Sequence, residues 1–177
     1  MVEVKVQSLG LDRTSNTPVV ILQEVDGSRV LPIWIGPGEA SAIAMEMAGM
    51  KFSRPLTHDL FASVIVGFGG TLQSVMITKV VENTYFAELM IRRDSELISV
   101  DARPSDSIAI ALRMSASIFT TEDLLEHTSI EVTEPMEESD LPGAGETSET
   151  GGAGLSPEQL REYLRHLDPE DFGRFNP

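Results

Sequence analysis

Two short stretches gather side chains that can do chemistry. "RPLTHD" holds Arg54, Thr57, His58 and Asp59, and "DARPSDS" holds Asp101, Arg103, Ser105 and Asp106. Each runs into an apolar segment with helical spacing, so each polar cluster falls at a helix start. Helix N-termini present unpaired N–H groups and partial positive charge, which suit phosphate oxygens. Arg54 and Arg103 can fork onto phosphate, with Thr57 and Ser105 as further substrate contacts. Asp59, Asp106 and, tentatively, Glu39 can supply oxygens to Mg²⁺ or Mn²⁺. His58 can carry a proton. Arginine, carboxylates and one histidine make a kit for phosphodiester cleavage, with a divalent cation as the expected aid.

Each of these residues also has a purely architectural reading. Ser105 and Thr57 are favoured helix caps, and Thr120 or Thr121 can cap a later helix. Asp59 and Asp106 fall in first turns, where the macrodipole favours acids. Arg103 can pair with Asp106, and Arg54 with Asp59. No phosphate-loop, zinc-protease or other diagnostic metal motif occurs in the chain.

The elements that must position these clusters come as a repeat. "VEVKVQSL", "PVVILQEV" and "RVLPIWI" read as strands, followed by the helix "GPGEASAIAMEM". "LQSVMITKVV", "TYFAELMI" and "ELISVDA" repeat the pattern before the helix "SDSIAIALRMSA". "PGEASAIAMEM" from Pro37 aligns without gaps with "PSDSIAIALRM" from Pro104, so Glu39 corresponds to Asp106. The expected fold is therefore α+β, built from duplicated β-β-β-α units with mixed sheet pairing. Each unit gains a shorter helix, around "THDLF" and "TEDLL". In the first of these, Leu60, Phe61, Val64, Ile65 and Phe68 share one face. The repeat helices themselves are apolar all round, which predicts a homo-oligomer that covers them.

Composition narrows the class. The chain of 177 residues has no cysteine, which excludes a disulfide framework and thiolate metal sites, and its three histidines argue against a multi-histidine zinc site. The start alternates apolar and charged residues, and no apolar run is long enough for a membrane span, so a cytoplasmic protein is expected. Residues 1–128 hold 10 Lys+Arg and 16 Asp+Glu, whereas residues 129–177 hold 3 and 12. Most of the net charge of −15 therefore sits in the last quarter of the chain. Three segments follow: a domain over residues 1–131, an acidic, disordered linker over 132–154, and a tail over 155–177. The tail carries a helix pattern with Leu160, Tyr163, Leu164 and Leu167 as its apolar stripe, suited to docking on a protein partner or on its own domain.

"LPIWIGPGEASAIA", "RPLTHDL" and "ARPSDSIAIALR" resemble the bifunctional nuclease domain family over about residues 1–131. The resemblance implies an internally duplicated α+β fold, homo-oligomers and, from plant members, breakdown of RNA and DNA. It carries over the motif positions Arg54, Pro55, Thr57, His58, Asp59, Arg103, Pro104, Ser105 and Asp106 rather than a defined catalytic set. The tail resembles the C-terminal extension of actinobacterial members and replaces the UvrB/UvrC-like helical motif of some plant relatives. The expected function is hydrolysis of RNA or single-stranded DNA. The alternative is a non-catalytic oligomeric module that binds an anionic ligand and recruits a partner through its tail.

Overall fold

The computed structural model describes residues 1–12, 15–82, 84–128 and 130–131, with backbone alone for residues 128, 130 and 131. The linker and tail expected over 132–154 and 155–177 lie outside the described residues.

Strand β1 spans Val2–Leu11. Val2, Val4 and Val6 face the core while Glu3, Lys5 and Gln7 face outwards. A bulge between Val6 and Ser8 shifts the alternation by one, so that Leu9 rather than Ser8 turns inwards. β2 (Pro18–Glu24) and β3 (Arg29–Trp34) form a hairpin on β1. Their runs Val19–Leu22 and Val30–Ile33 are buried throughout, as expected of strands covered on both faces. Arg29 closes the hairpin turn on Glu24, with an N···O distance of 2.9 Å.

The second unit repeats this order as β4 (Gly70–Val81), β5 (Thr84–Arg93) and β6 (Glu96–Ala102). Helix α1 (Pro37–Met47) follows β3, and α3 (Pro104–Met114) follows β6. β3 begins at Arg29 and β6 at Glu96, α1 at Pro37 and α3 at Pro104, the same spacing of 67 residues both times. Both helices start with proline as the first helical residue, where its missing N–H costs nothing. α2 (Thr57–Gly67) lies between the units, and α4 (Glu122–Thr128) comes near the end. The Thr121 hydroxyl accepts the Leu124 N–H at 3.2 Å, so Thr121 rather than Thr120 caps α4.

One mixed sheet joins everything, in the order β6-β5-β4-β7-β1-β2-β3-β8. The two triplets run outwards from a shared centre, which is the arrangement expected of a duplication. That centre is β7 (Ser117–Thr120), a four-residue strand with no alternation long enough to read from sequence. It pairs antiparallel with β1 and parallel with β4. β8 (Ile130–Glu131) extends the edge beside β3. Ile43, Ile65, Ile108 and Leu125, one from each helix in turn, pack into the core with Val20, Leu31, Ile77 and Leu89 from the sheet.

Burial separates two of the helices. α3 is buried over seven of its residues by its own chain, so its apolar circumference needs no second subunit. α2 instead leaves its apolar face outside: Leu60 is 55 %, Val64 43 % and Phe68 76 % exposed, and Ile65 alone is buried. Among the described residues no helix is long and apolar enough to cross a membrane.

Ile118 lies in the strand that joins the halves and is buried. Ile118→Ala should therefore lower unfolding stability by about 2–5 kcal/mol, read from urea unfolding midpoints. Loss below 0.5 kcal/mol would mean that β7 does not carry the junction.

Candidate functional site

The starts of α1, α2 and α3 meet through side chains. Arg103, the residue before α3, donates Nε–H to Asp106 Oδ2 at 2.8 Å and places a second guanidinium nitrogen 2.9 Å from Glu39 Oε1. The other Asp106 oxygen lies 3.2 Å from His58 Nε2. Glu39, Arg103, Asp106 and His58 thus form one continuous polar chain. Glu39 and Asp106 are repeat counterparts, and so are Gly36 and Arg103. A side-chain carbon at Gly36 would strike the Glu39 carboxylate. The glycine therefore leaves Glu39 free to reach the arginine that stands at the equivalent place in the other unit.

A second arginine, Arg113, organises the inner layer. It lies in the last turn of α3, and its side chain is 5 % exposed. It donates to Asp59 Oδ1 at 2.5 Å, to the Ala109 carbonyl at 2.9 Å and to the Ala42 carbonyl at 3.2 Å. Glu46 stands 3.9 Å away. The other oxygen of Asp59 accepts the Leu56 N–H at 2.9 Å. Asp59 thereby caps α2 from inside the helix, which is why Leu56 and not Thr57 occupies the cap position. Sequence reading missed Arg113, since in "IALRM" it resembles an ordinary solvent-facing residue. The signal was its spacing: Arg113 is the repeat counterpart of Glu46, an opposite charge at the same place in the fold.

The candidate residues therefore divide. His58, Arg103, Asp106 and Glu39 come together at the surface. Asp59 is drawn into the structural clamp with Arg113. Thr57 is exposed in the first turn of α2, and Arg54 is exposed with no ion-pair partner among the described residues. Ser105 is buried in the first turn of α3 rather than at its cap, because Arg103 occupies the cap position. Asp101 stands on β6 opposite Glu88. Glu39, Asp59 and Asp106 are not gathered as a metal-binding set: among the described residues no group of three or more His, Cys, Asp or Glu side chains could hold a metal ion. Asp59 has both oxygens engaged, one by Arg113 and one by the Leu56 N–H.

Electrostatics follow the geometry. Burial pushes the Asp106 carboxyl up, but Arg103 and His58 outweigh it and hold the group below its ordinary value of 3.8. Burial likewise raises Asp59, while the Leu56 N–H, Arg113 and His58 bring it below 3.8. Hydrogen bonding to Asp106, followed by the field of Asp106 and of Glu39, keeps the Arg103 guanidinium more firmly charged.

The sequence profile of the bifunctional nuclease domain matches residues 20–133. The chain belongs to the bifunctional nuclease domain family. An uncharacterised protein of Mycobacterium tuberculosis is 38 % identical over 172 residues, covering 97 % of this chain and 98 % of its own. Among plant members of the family, the protein named bifunctional nuclease 1 of Arabidopsis thaliana is 30 % identical over 57 % of this chain and 32 % of its own length. The one named bifunctional nuclease 2 of Oryza sativa subsp. japonica is 27 % identical over 73 % and 41 %. The likeness to the plant nucleases is confined to a part of each plant protein, and the mycobacterial likeness runs nearly end to end.

The two arginines predict opposite mutational behaviour. Arg113 is desolvated, so Asp59→Asn strands a buried charge and should cost about 3–5 kcal/mol. Arg103 is 67 % exposed, so Arg103→Lys should cost about 0–1 kcal/mol. Thermal or denaturant unfolding of the two variants reads this contrast directly, and equal losses would contradict it.

A pH effect follows from the same carboxyls. Both folded values lie below the unfolded one, so their contribution is present above pH 3.8 and lost as pH falls through the depressed values. Asp106→Asn should flatten the acid limb of the stability curve, measured by urea unfolding between pH 2 and 5. An acid limb as steep as that of the unsubstituted protein would remove Asp106 from the account.

Proposed function

We propose that this protein is a phosphodiesterase acting on RNA or single-stranded DNA, with the Glu39–Arg103–Asp106–His58 chain as its working site. The observation that carries the reading is the His58–Asp106 contact beside an exposed arginine, in a chain whose family includes proteins named as nucleases. A carboxylate on Nε2 fixes the orientation of the imidazole, leaving Nδ1 as the nitrogen that exchanges a proton. In this scheme His58 accepts a proton from water as the water oxygen bonds to phosphorus. The ester P–O bond breaks, and solvent protonates the leaving oxygen. Arg103 swings from its acids to the phosphate oxygens, which its exposure and low structural cost permit. Arg54, Thr57 and the start of α2 extend the anion-binding surface. Asp59 holds this helix start in place through Arg113 and touches no substrate.

Among the described residues no group of three or more ligating side chains is gathered to hold Mg²⁺ or Mn²⁺. The scheme therefore routes no step through a metal. Cytoplasmic residence accords with an RNA or single-stranded DNA substrate.

The second reading, a non-catalytic anion-binding module, draws on charge. Arg103 is already neutralised by two acids, and residues 1–128 carry more acidic than basic groups. Cleavage assays on RNA and single-stranded DNA separate the readings, run with Mg²⁺, with Mn²⁺ and with chelator. His58→Ala and Asp106→Ala should each lower turnover on the order of 10²–10⁴-fold while the protein stays folded. Binding of oligonucleotide without any turnover in the unsubstituted protein would favour the module.

We also propose a homo-oligomer whose contact is the face of α2 bearing Leu60, Phe61, Val64 and Phe68. A contiguous apolar face of this kind is unusual on a monomer unless a partner covers it. Light scattering should show an assembly that Val64→Asp with Phe61→Asp dissociates. A monomer at micromolar concentration before substitution would refute it.

A further inference from the structure

The outer face of the β2–β3 hairpin is buried, yet no described helix covers it. Pairing across the hairpin sets Val19 opposite Trp34, Ile21 opposite Pro32 and Gln23 opposite Val30. The alternate pairs, Val20 with Ile33 and Leu22 with Leu31, belong to the main core. Val19, Ile21 and Val30 therefore point the other way. They stand apart from that core and are still 1 %, 3 % and 0 % exposed. An open sheet face leaves valines and isoleucines largely wet, so something lies against these three. Ile43, Ile65, Ile108 and Leu125, from α1 to α4, are all engaged on the opposite face. The neighbouring strand offers only Gly10 and Ser8 beside Val19 and Ile21.

We infer that the apolar stripe Leu160, Tyr163, Leu164 and Leu167 of the same chain covers this face. The chain leaves the described domain at β8, which is paired to β3 at the edge of this very hairpin. Residues 132–159 then separate Glu131 from Leu160, where the stripe begins. A polar coil of that length spans about 25–30 Å on average, ample to fold back over one sheet edge. The dimensions agree as well. Val19 to Gln23 along β2 covers about 13 Å, and Leu160 to Leu167 as a helix covers about 11 Å. Three small, closely set apolar residues offer a shallow floor, and the stripe supplies the larger side chains that such a floor lacks. The mycobacterial relative matches 97 % of this chain, so the likeness extends through most of the tail, well past the domain boundary at residue 133.

The composition provides a clean test. The full chain has no cysteine and a single tryptophan, Trp34, which sits on this face and is 41 % exposed. A nitroxide placed on Arg161→Cys, at the flank of the stripe, should quench Trp34 emission at least twofold. The quenching should persist on hundredfold dilution and on mixing with excess unlabelled protein. Leu160→Asp with Leu164→Asp in the labelled chain should restore the emission and raise acrylamide quenching of Trp34, with far-ultraviolet circular dichroism of the domain retained. Emission unchanged by the nitroxide overturns the inference. Quenching that disappears on mixing also overturns it, and assigns the face to the tail of a neighbouring copy. All three substitutions lie outside the domain, so domain folding does not cloud the result.

Discussion

A guanidinium withdrawn from water has to find its counter-charges and acceptors within the protein, and the helical layer here is arranged around one that has done so. Arg113 reaches an acid on α2, a carbonyl on α1 and a carbonyl on its own helix. Remove any of these and a buried cation is left short of partners, at a cost of several kcal/mol. The position of α2, and with it the depth of His58, is set by that requirement. Asp59 is bound at one oxygen by Arg113 and at the other by the first turn of α2, so the helix start cannot drift without breaking the clamp. His58, the preceding residue, is thereby delivered to Asp106 on α3.

Duplication makes this clamp possible. Ala42 and Ala109 are equivalent residues of the two units, and both carbonyls serve the same arginine. Glu46 and Arg113 are equivalent too, as are Gly36 and Arg103. Two identical repeats would set like charge against like at these facing positions. Divergence has given one unit the cation and the other the anion, or the space. The outer arginine follows the same logic as the inner one but remains exposed, and that difference in hydration separates a residue that holds the fold from one free to change partners.

The repeat was legible because helices and long strands carry period and spacing over many residues. Pro37 and Pro104 mark equivalent helix starts, and both prove to be first helical residues. β7 was illegible for the complementary reason. "SIFT" offers four residues, too few to show a period, and its place between the units is decided by tertiary pairing. The polar motifs were legible as a group, but their internal division was not. Arg54 and Arg103 look alike in sequence, each before a proline with an acid a few residues on, yet among the described residues Arg103 pairs and Arg54 does not. Asp59 and Asp106 also look alike, and a residue from the far end of α3 determines that they differ. Periodicity showed that α2 has one apolar face, not where that face points; which face of an apolar helix is left outside depends on what the rest of the chain has already filled.

The pairing of β7 with both β1 and β4 also has a consequence for how the chain is made. Among the described strands β1 leaves the ribosome before the others, and one of its edges has no partner until residues 117–120 arrive. Through most of synthesis the amino-terminal hairpin sheet therefore carries an open edge of unpaired N–H and C=O groups, the kind of template on which nascent chains stick to one another. Glu3 and Lys5 lie along that edge strand and point away from the core. Alternating charge there is a guard for the interval, and closure of the sheet by so late a strand makes the two halves commit to their final arrangement nearly together.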